Sequence, residues 1–217
     1  MLLGHYATAL AAKKVAPTVS LGTLCLAAQF VDLLFPFFLL LDLEHFRIDP
    51  GNTQVMPLDF YDYSLSHSLL TGIGWAILLG GIFFLFRRQI KNALIVGGLV
   101  VGHWILDFIS HRADLPLAPG CKLYLGLGLW NSLFWSIVVE MGLFLGGLFL
   151  YLRVTAAKDR IGLYGFWGLI SIWILIQVGS YGGEPPPNDT AFALAGLGQW
   201  LFILWAYWIN RHRKSVS

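Results

Sequence analysis

Three ionisable residues recur at steps of four in one apolar segment: His103, Asp107 and His111. On a helix, residues four apart share one face, so these side chains form a single stripe. His103 and Asp107 can hold one metal ion together, as ligand pairs at i and i+4 do. His103 and His111 lie about 12 Å apart along the helix axis, which is too far for a single ion. The alternative interpretation is a hydrogen-bonded helix pair with an interfacial histidine.

Other acidic and imidazole groups also lie in or beside apolar stretches. Asp32 lies near the middle of one stretch, Glu140 about ten residues into another, and His67 within Tyr-Ser-Leu-Ser-His-Ser. A charged group in hydrocarbon costs about 2.5–3.5 kcal/mol, so such groups are rarely accidental. The sequence offers no Lys or Arg at a matching depth. A metal ion is the simplest remaining source of positive charge, and a protonated histidine is the second.

Four further polar residues lie close to these positions. They are Asp42, Glu44, His45 and Asp59. Their places at the end of an apolar stretch and in the following loop are typical of ordinary interfacial groups. The sequence leaves open whether any of them joins a site.

The composition indicates which solvent surrounds the chain. Of its 217 residues, 57 % are hydrophobic and 12 % are charged, with a mean hydropathy of +0.70. A soluble domain has about 25 % charged residues, and one this small cannot bury so much apolar surface. The two cysteines form no disulfide framework. A net charge of +2 gives no field for nucleic acid. The partner is therefore a lipid bilayer, and no nucleic acid is expected.

Six apolar stretches approach the roughly 20 residues that a membrane-spanning helix needs. Three contain no charged residue and three contain interruptions. The stretches are 20–43, 68–86, 92–110, 130–152, 161–183 and 190–210. We predict an all-α fold, a polytopic membrane helix bundle of about six transmembrane helices plus a short N-terminal helix, with 1–217 as one domain.

Basic residues predict the orientation of the bundle. With the N-terminus in the cytoplasm, only Arg47, Arg112 and Lys122 fall outside, whereas the other eleven of the fourteen Lys and Arg residues fall inside. This asymmetry is typical of proteins of the cytoplasmic membrane. We expect both termini to be cytoplasmic and the membrane to be the inner membrane of a bacterium.

The polar groups are unevenly distributed along the chain. The last two spans offer only Gln177 and Gln199 as strongly polar side chains. We therefore predict a half that bears the site, 1–152, and a pair of scaffold helices within 153–217.

Three local features of the helices are also expected. Pro36 is expected to kink the first span, and Ser64 or Ser66 to cap the second. The first 14 residues are too few to cross the membrane, but they carry an apolar helical face that includes His5. We expect this short helix to enter the bundle far enough to bring His5 within about 12 Å of Asp107, the reach of a shared metal centre.

The number of candidate ligands exceeds what one zinc ion takes, which is three or four. Either two ions share the pool, or one ion is held and the remaining groups orient ligands or move protons. Zinc is the first expectation and manganese the second. The pool consists of His5, Asp32, His67, His103, Asp107, His111 and Glu140. Among these, we take Asp32, Glu140 and His111 as candidate catalytic groups.

The motifs resemble a known family over residues 4 to 152. Gly4-His5, an Asp in the first span, Tyr-Ser-x-Ser-His-Ser-Leu and Gly-His-Trp-x-x-Asp are similar to the bacterial membrane-bound metal-dependent hydrolases of the YdjM-like type. Many members carry Pro-Asp-x-Asp-His where this chain has Val-Asp-Leu-Leu-Phe. The resemblance implies a metal-dependent hydrolase with the ligands His5, Asp32, His67, His103 and Asp107, and with Glu140 as a further candidate site residue. A weaker similarity to zinc-dependent phospholipase C and single-strand nucleases favours phosphoester chemistry.

The expected function is therefore hydrolysis of an ester or phosphoester, in a lipid or an envelope-related substrate, by metal-activated water. The alternative is a small cation or proton transporter, because intramembrane acids and histidines also mark ion paths. A non-catalytic scaffold ranks third. The sequence does not identify the substrate or the oligomeric state.

Overall fold

A computed structural model describes residues 1–216, and it confirms the predicted all-α membrane bundle. The chain is 66 % helical. Four single helices and the continuous pair over Asp189–Arg211 are long and apolar enough to cross a membrane, and a bent pair of shorter helices makes a sixth span. The helices are α1 (Leu2–Ala12), α2 (Leu21–Ala28), α3 (Phe30–Leu40), α4 (Ser64–His67), α5 (Leu69–Arg87), α6 (Ile90–Ser110), α7 (Leu133–Val154), α8 (Arg160–Ser180), α9 (Asp189–Leu197) and α10 (Gln199–Arg211).

The first span is bent by 56° between α2 and α3. The expectation that Pro36 makes this kink is wrong, because the break lies at Gln29 and Pro36 lies inside α3. At the break, the carbonyl of Ala28 accepts a hydrogen bond of 2.8 Å from Nδ1 of His103. A side chain that hydrogen-bonds to a backbone carbonyl, in competition with the backbone hydrogen bonds of the helix, is a recognised cause of helix bending. The same contact fixes a histidine of the candidate site.

The second span begins at Ser68 rather than at either serine expected to cap it. The hydroxyl of Ser68 accepts from the backbone N–H of Thr71, and α5 follows. Ser64 and Ser66 instead belong to the one-turn helix α4. This extra turn lets His67 approach the first span, because the chain changes direction between α4 and α5.

Short strands outside the spans were not predicted from the sequence. Between α3 and α4, β1 (His45–Ile48) pairs antiparallel with β2 (Leu58–Asp62). Between α6 and α7, β3 (Leu115–Pro116) pairs with β4 (Tyr124–Leu125), and at the opposite end of the bundle β5 (Thr155–Ala157) pairs with β6 (Arg213–Ser215). These strands lie where the chain leaves the bundle, so the hydropathy of the spans carries no signal for them.

The short helix α1 enters the bundle instead of lying on its surface. It packs mainly against α7 and α2, and Leu3, His5 and Leu10 are fully buried. The last span packs on the first, because α9 contacts α3 and α10 contacts α2. The bent first span therefore lies against α1, α6 and the last span.

Candidate metal centre

Five side chains that were predicted as metal ligands converge inside the bundle. They come from α1, α3, α4 and α6, and four of them are at most 6 % exposed. Two groups have ligand atoms that all lie within 4.8 Å of one another. One group is His5, His103 and Asp107, and the other is Asp32, His67 and His103.

His103 is common to both groups and has a fixed orientation. Its Nδ1 is bonded to the carbonyl of Ala28 and therefore carries the proton. Its Nε2 then points at the carboxylates, 2.9 Å from Oδ2 of Asp107 and 3.6 Å from Oδ1 of Asp32. A histidine held in this way presents the unprotonated nitrogen that a metal ion needs.

His67 is oriented by a residue that sequence reasoning placed at the interface. Its Nδ1 is 2.6 Å from Oγ of Ser66, and that hydroxyl donates to Oε2 of Glu44 over 2.6 Å. Glu44 is 1 % exposed and also accepts from the backbone N–H of Ser66. Burial raises the pKa of Glu44, although these hydrogen bonds oppose the rise. The chain of donors keeps the proton of His67 on Nδ1, so Nε2 faces Asp32 at 3.2 Å.

Glu44 thus carried a signal that the sequence interpretation did not use. Glu44 follows the first span, and Ser66 and His67 precede the second, so the sequence allows a hydrogen bond between Glu44 and Ser66. The expectation that Asp42, His45 and Asp59 are interfacial agrees with their contacts. His45 bonds to Asp42 and Asp62 near the surface, and Asp59 pairs with Arg47 and Arg112.

His5 reaches the cluster, which confirms that α1 enters deeply. Its Nε2 lies 3.0 Å from Oδ1 of Asp107, and its ring stacks on that of His103 with 3.6 Å between centroids. The amino group of Met1 lies 3.5 Å from the same carboxylate oxygen. Asp107 is therefore surrounded by nitrogen groups from two helices.

The donor set fits a divalent ion. Ligands bonded at about 2.0–2.2 Å in a tetrahedron are separated from one another by about 3.3–3.6 Å. The closest N–O pairs of the cluster range from 2.9 to 3.6 Å. Imidazole nitrogen and carboxylate oxygen are ligands that zinc accepts when no thiolate is present. Both free cysteines lie outside the two groups.

His111 forms a separate network and is not part of either ligand group. Its Nδ1 lies 2.9 Å from Oδ1 of Asp114 and 3.4 Å from the hydroxyl of Tyr63, and its ring packs on Trp130. Burial raises the pKa of Tyr63 well above its usual range, so its hydroxyl remains a donor. Asp114 thus orients His111, which lines the same cavity as Asp32, His67 and Asp107.

A cavity of about 370 Å³ lies beside the centre. Glu140 also lines it, and its Oε2 is a buried atom without a hydrogen-bond partner among residues 1–216. The β1–β2 hairpin contributes Val55 to Leu58, and the proline-rich turn contributes Gly183 to Pro186. The cavity therefore extends from the ligands towards this hairpin and this turn.

The two glutamines of the last spans line this cavity as well. Gln177 comes from α8 and Gln199 from the start of α10. The helices predicted as a scaffold therefore also contribute to the site region, because α8 and α10 form part of the cavity wall. Their polar residues are few, but they are turned inward.

Comparisons of the chain with protein-family models, with curated proteins and with solved structures find no match. The function is therefore inferred from the residues of this chain.

Proposed function

We propose that the protein is a divalent-metal-dependent hydrolase of the membrane, acting on an ester or phosphoester in a lipid or envelope-related substrate. The observation that carries this proposal is the convergence of His5, Asp32, His67, His103 and Asp107. Burying three imidazoles and two carboxylates from four helices is unfavourable unless they bind a common ligand such as a metal ion. The resemblance of the motifs to membrane-bound metal-dependent hydrolases agrees with this proposal.

A bound zinc or manganese ion supplies Lewis-acid activation of a water and of the substrate oxygen. The residues of the chain do the rest. His67 and His103 present Nε2 because Ser66 and Ala28 hold their other nitrogens. Asp32 is the ligand nearest to open space, since 26 % of its side chain is exposed. It is therefore suited to contact a reacting water as well as an ion.

His111 is the group best suited to move a proton to a leaving oxygen. Asp114 holds Nδ1 of His111, its Nε2 makes no hydrogen bond within residues 1–216, and the residue lines the cavity. A base that is oriented by a carboxylate is the usual arrangement for general acid and base catalysis. Glu140 lines the cavity but lies outside both ligand groups, so we place it on the substrate side.

The proposed substrate enters from the outer side of the membrane. The cavity is roofed by the β1–β2 loop and the turn near Pro185. With both termini in the cytoplasm of a bacterium, as the basic residues predict, these loops face away from the cytoplasm. A lipid or an envelope precursor is available at that surface.

A transporter is the less favoured proposal because the inner half of the bundle is closed by apolar packing. Leu10, Leu24 and Ile209 have no exposed surface and belong to one core cluster. An ion path would need polar groups on both sides of the centre. The polar groups of the centre and the cavity extend outward instead.

Metal analysis of the purified protein tests the proposal. We expect stoichiometric zinc or manganese in the wild type, and its loss in His103→Ala and Asp107→Ala. The matched control is Asp49→Asn, an acid in the outer loop away from both ligand groups, which should keep the metal. Hydrolysis of bis(p-nitrophenyl) phosphate and of p-nitrophenyl esters should follow the metal content.

Two outcomes contradict the proposal. One is a folded wild type that binds neither zinc nor manganese when these ions are supplied. The other is metal that is retained equally by both ligand variants, since the ion would then lie elsewhere.

A further inference from the structure

The cavity has a second polar surface, which we call the acceptor wall: Glu140 from α7, Gln177 from α8 and Gln199 from α10. None of the three belongs to the ligand groups of the metal centre. Glu140 is 1 % exposed and Gln177 is 5 % exposed. Burying polar groups at this depth is unfavourable unless they gain hydrogen bonds.

The partnerless atoms of this wall are hydrogen-bond acceptors. Oε2 of Glu140 and Oε1 of Gln199 are buried and have no hydrogen-bond partner within residues 1–216. Nε2 of Gln177 is bonded to the Ser180 hydroxyl over a long 3.4 Å, which orients the amide. A ligand that satisfies the wall must therefore donate hydrogen bonds.

Much of the remaining lining of the cavity is apolar. Phe35 and Pro36 from α3, Leu58 from β2 and Phe192 from α9 contribute to it. A volume of about 370 Å³ accommodates a head group and the beginning of its chains, at the lower end of small-molecule sites. The ligand is thus amphipathic, with hydrogen-bond donors at its polar end.

We propose that this cavity binds a phospholipid whose head group carries hydrogen-bond donors, an ammonium or a hydroxyl, beyond the phosphodiester. The acceptor wall contacts these donors, and the phosphodiester lies towards the His/Asp centre. This inference deepens the proposed function and rests on it for the cleavage of the bound lipid. Binding itself does not require the ion.

The two glutamines give a cleaner test than Glu140. Glu140 lies close enough to the amino group of Met1 to interact with it electrostatically. Replacing Glu140 would therefore disturb the charge balance near Asp107. Gln177→Leu and Gln199→Leu remove hydrogen-bonding groups at nearly constant volume and introduce no charge.

The experiment measures lipid binding to the full-length protein in EDTA, by displacement of a fluorescent lipid in detergent. The probes are phosphatidylethanolamine, phosphatidylglycerol and phosphatidylcholine with identical acyl chains. Phosphatidylethanolamine and phosphatidylcholine have the same net charge, but only the first has N–H donors. Phosphatidylglycerol separates hydroxyl donors from ammonium donors.

We expect the wild type to bind at least one donor lipid about tenfold more tightly than phosphatidylcholine, as buried hydrogen bonds imply. In the double variant this preference should fall to about twofold or less. Leu175→Ala and Leu204→Ala, on exposed faces of α8 and α10, should retain it.

Equal binding of all three lipids by the wild type would overturn the inference, as would a preference that survives in the double variant. The proposed function fails separately. If the protein binds donor lipids selectively but hydrolyses no substrate with any divalent metal, the proposed hydrolase activity is contradicted and the proposed lipid site is supported. Hydrolysis of model esters without lipid selectivity contradicts the lipid site alone.

Discussion

Single residues outside the proposed ligand set determine how the candidate ligands are oriented. Glu44 accepts two hydrogen bonds from Ser66, and Ser66 in turn contacts Nδ1 of His67. Carboxylates that orient a ligating histidine in this way typically contribute 10- to 100-fold to metal affinity. The proposed role in orienting His67 agrees with the burial of Glu44, which is 1 % exposed.

We therefore predict that Glu44→Gln and Ser66→Ala weaken zinc binding by about 10-fold or more. The reason is that the His67 ring loses the acceptor that fixes its tautomer. Competition with a chromophoric chelator measures the affinity. Asp49→Asn, in the same outer loop, is the control. Unchanged zinc affinity in both variants, with the fold intact, would show that Glu44 only supports the loop.

At the scale of elements, the docking of α1 on α7 controls whether the centre is complete. A Cβ atom on Gly147 would clash with the carbonyl oxygen of Ala7, so α1 lies directly on the backbone of α7. A Cβ atom on the neighbouring Gly146 would meet no heavy atom of another element within 4 Å. Only one of these two adjacent glycines is needed for the close approach.

Gly147→Ala is predicted to displace α1 and to weaken metal binding about as much as His5→Ala does. Overpacking of this kind costs about 1–3 kcal/mol, which is enough to shift a short helix. The double variant should lose little beyond either single variant, because both changes remove the same ligand. Metal affinity of the purified variants, measured by chelator competition, checks this, and Gly146→Ala is the matched control that should bind like the wild type. Additive losses in the double variant would contradict the link between the two helices.

Much of this arrangement follows from the sequence, and some of it does not. The spans and the convergence of His103 with Asp107 follow from hydropathy and from helical spacing. The insertion of α1 into the bundle could be predicted only from the assumption that His5 joins the candidate ligands. The bend at Gln29 could not be predicted, since it depends on a contact between Ala28 and His103, which are distant in sequence. The sequence also does not predict that Gln199 lines the cavity, because this depends on how helices distant in sequence pack together.

On the scale of the whole molecule, the centre is closed on one side and open on the other. The core around Leu24 and Ile209 seals the end where most basic residues lie. The cavity extends towards the β1–β2 hairpin and the turn near Pro185 at the other end. The orientation of the bundle therefore determines which side of the membrane would supply the proposed substrate.

The two cysteines allow this orientation to be measured. Cys25 is fully buried, whereas Cys121 lies in the loop between β3 and β4 and is partly exposed. We expect a membrane-impermeant maleimide to label right-side-out vesicles at Cys121 only, and Cys121→Ser to abolish the labelling.

The converse probe is Lys91→Cys in the Cys121→Ser background, since Lys91 is exposed at the start of α6. This thiol should react only in inside-out vesicles, because basic residues remain on the cytoplasmic side. The reverse pattern would place the cavity mouth in the cytoplasm, and the proposed substrate would then have to come from the inner leaflet.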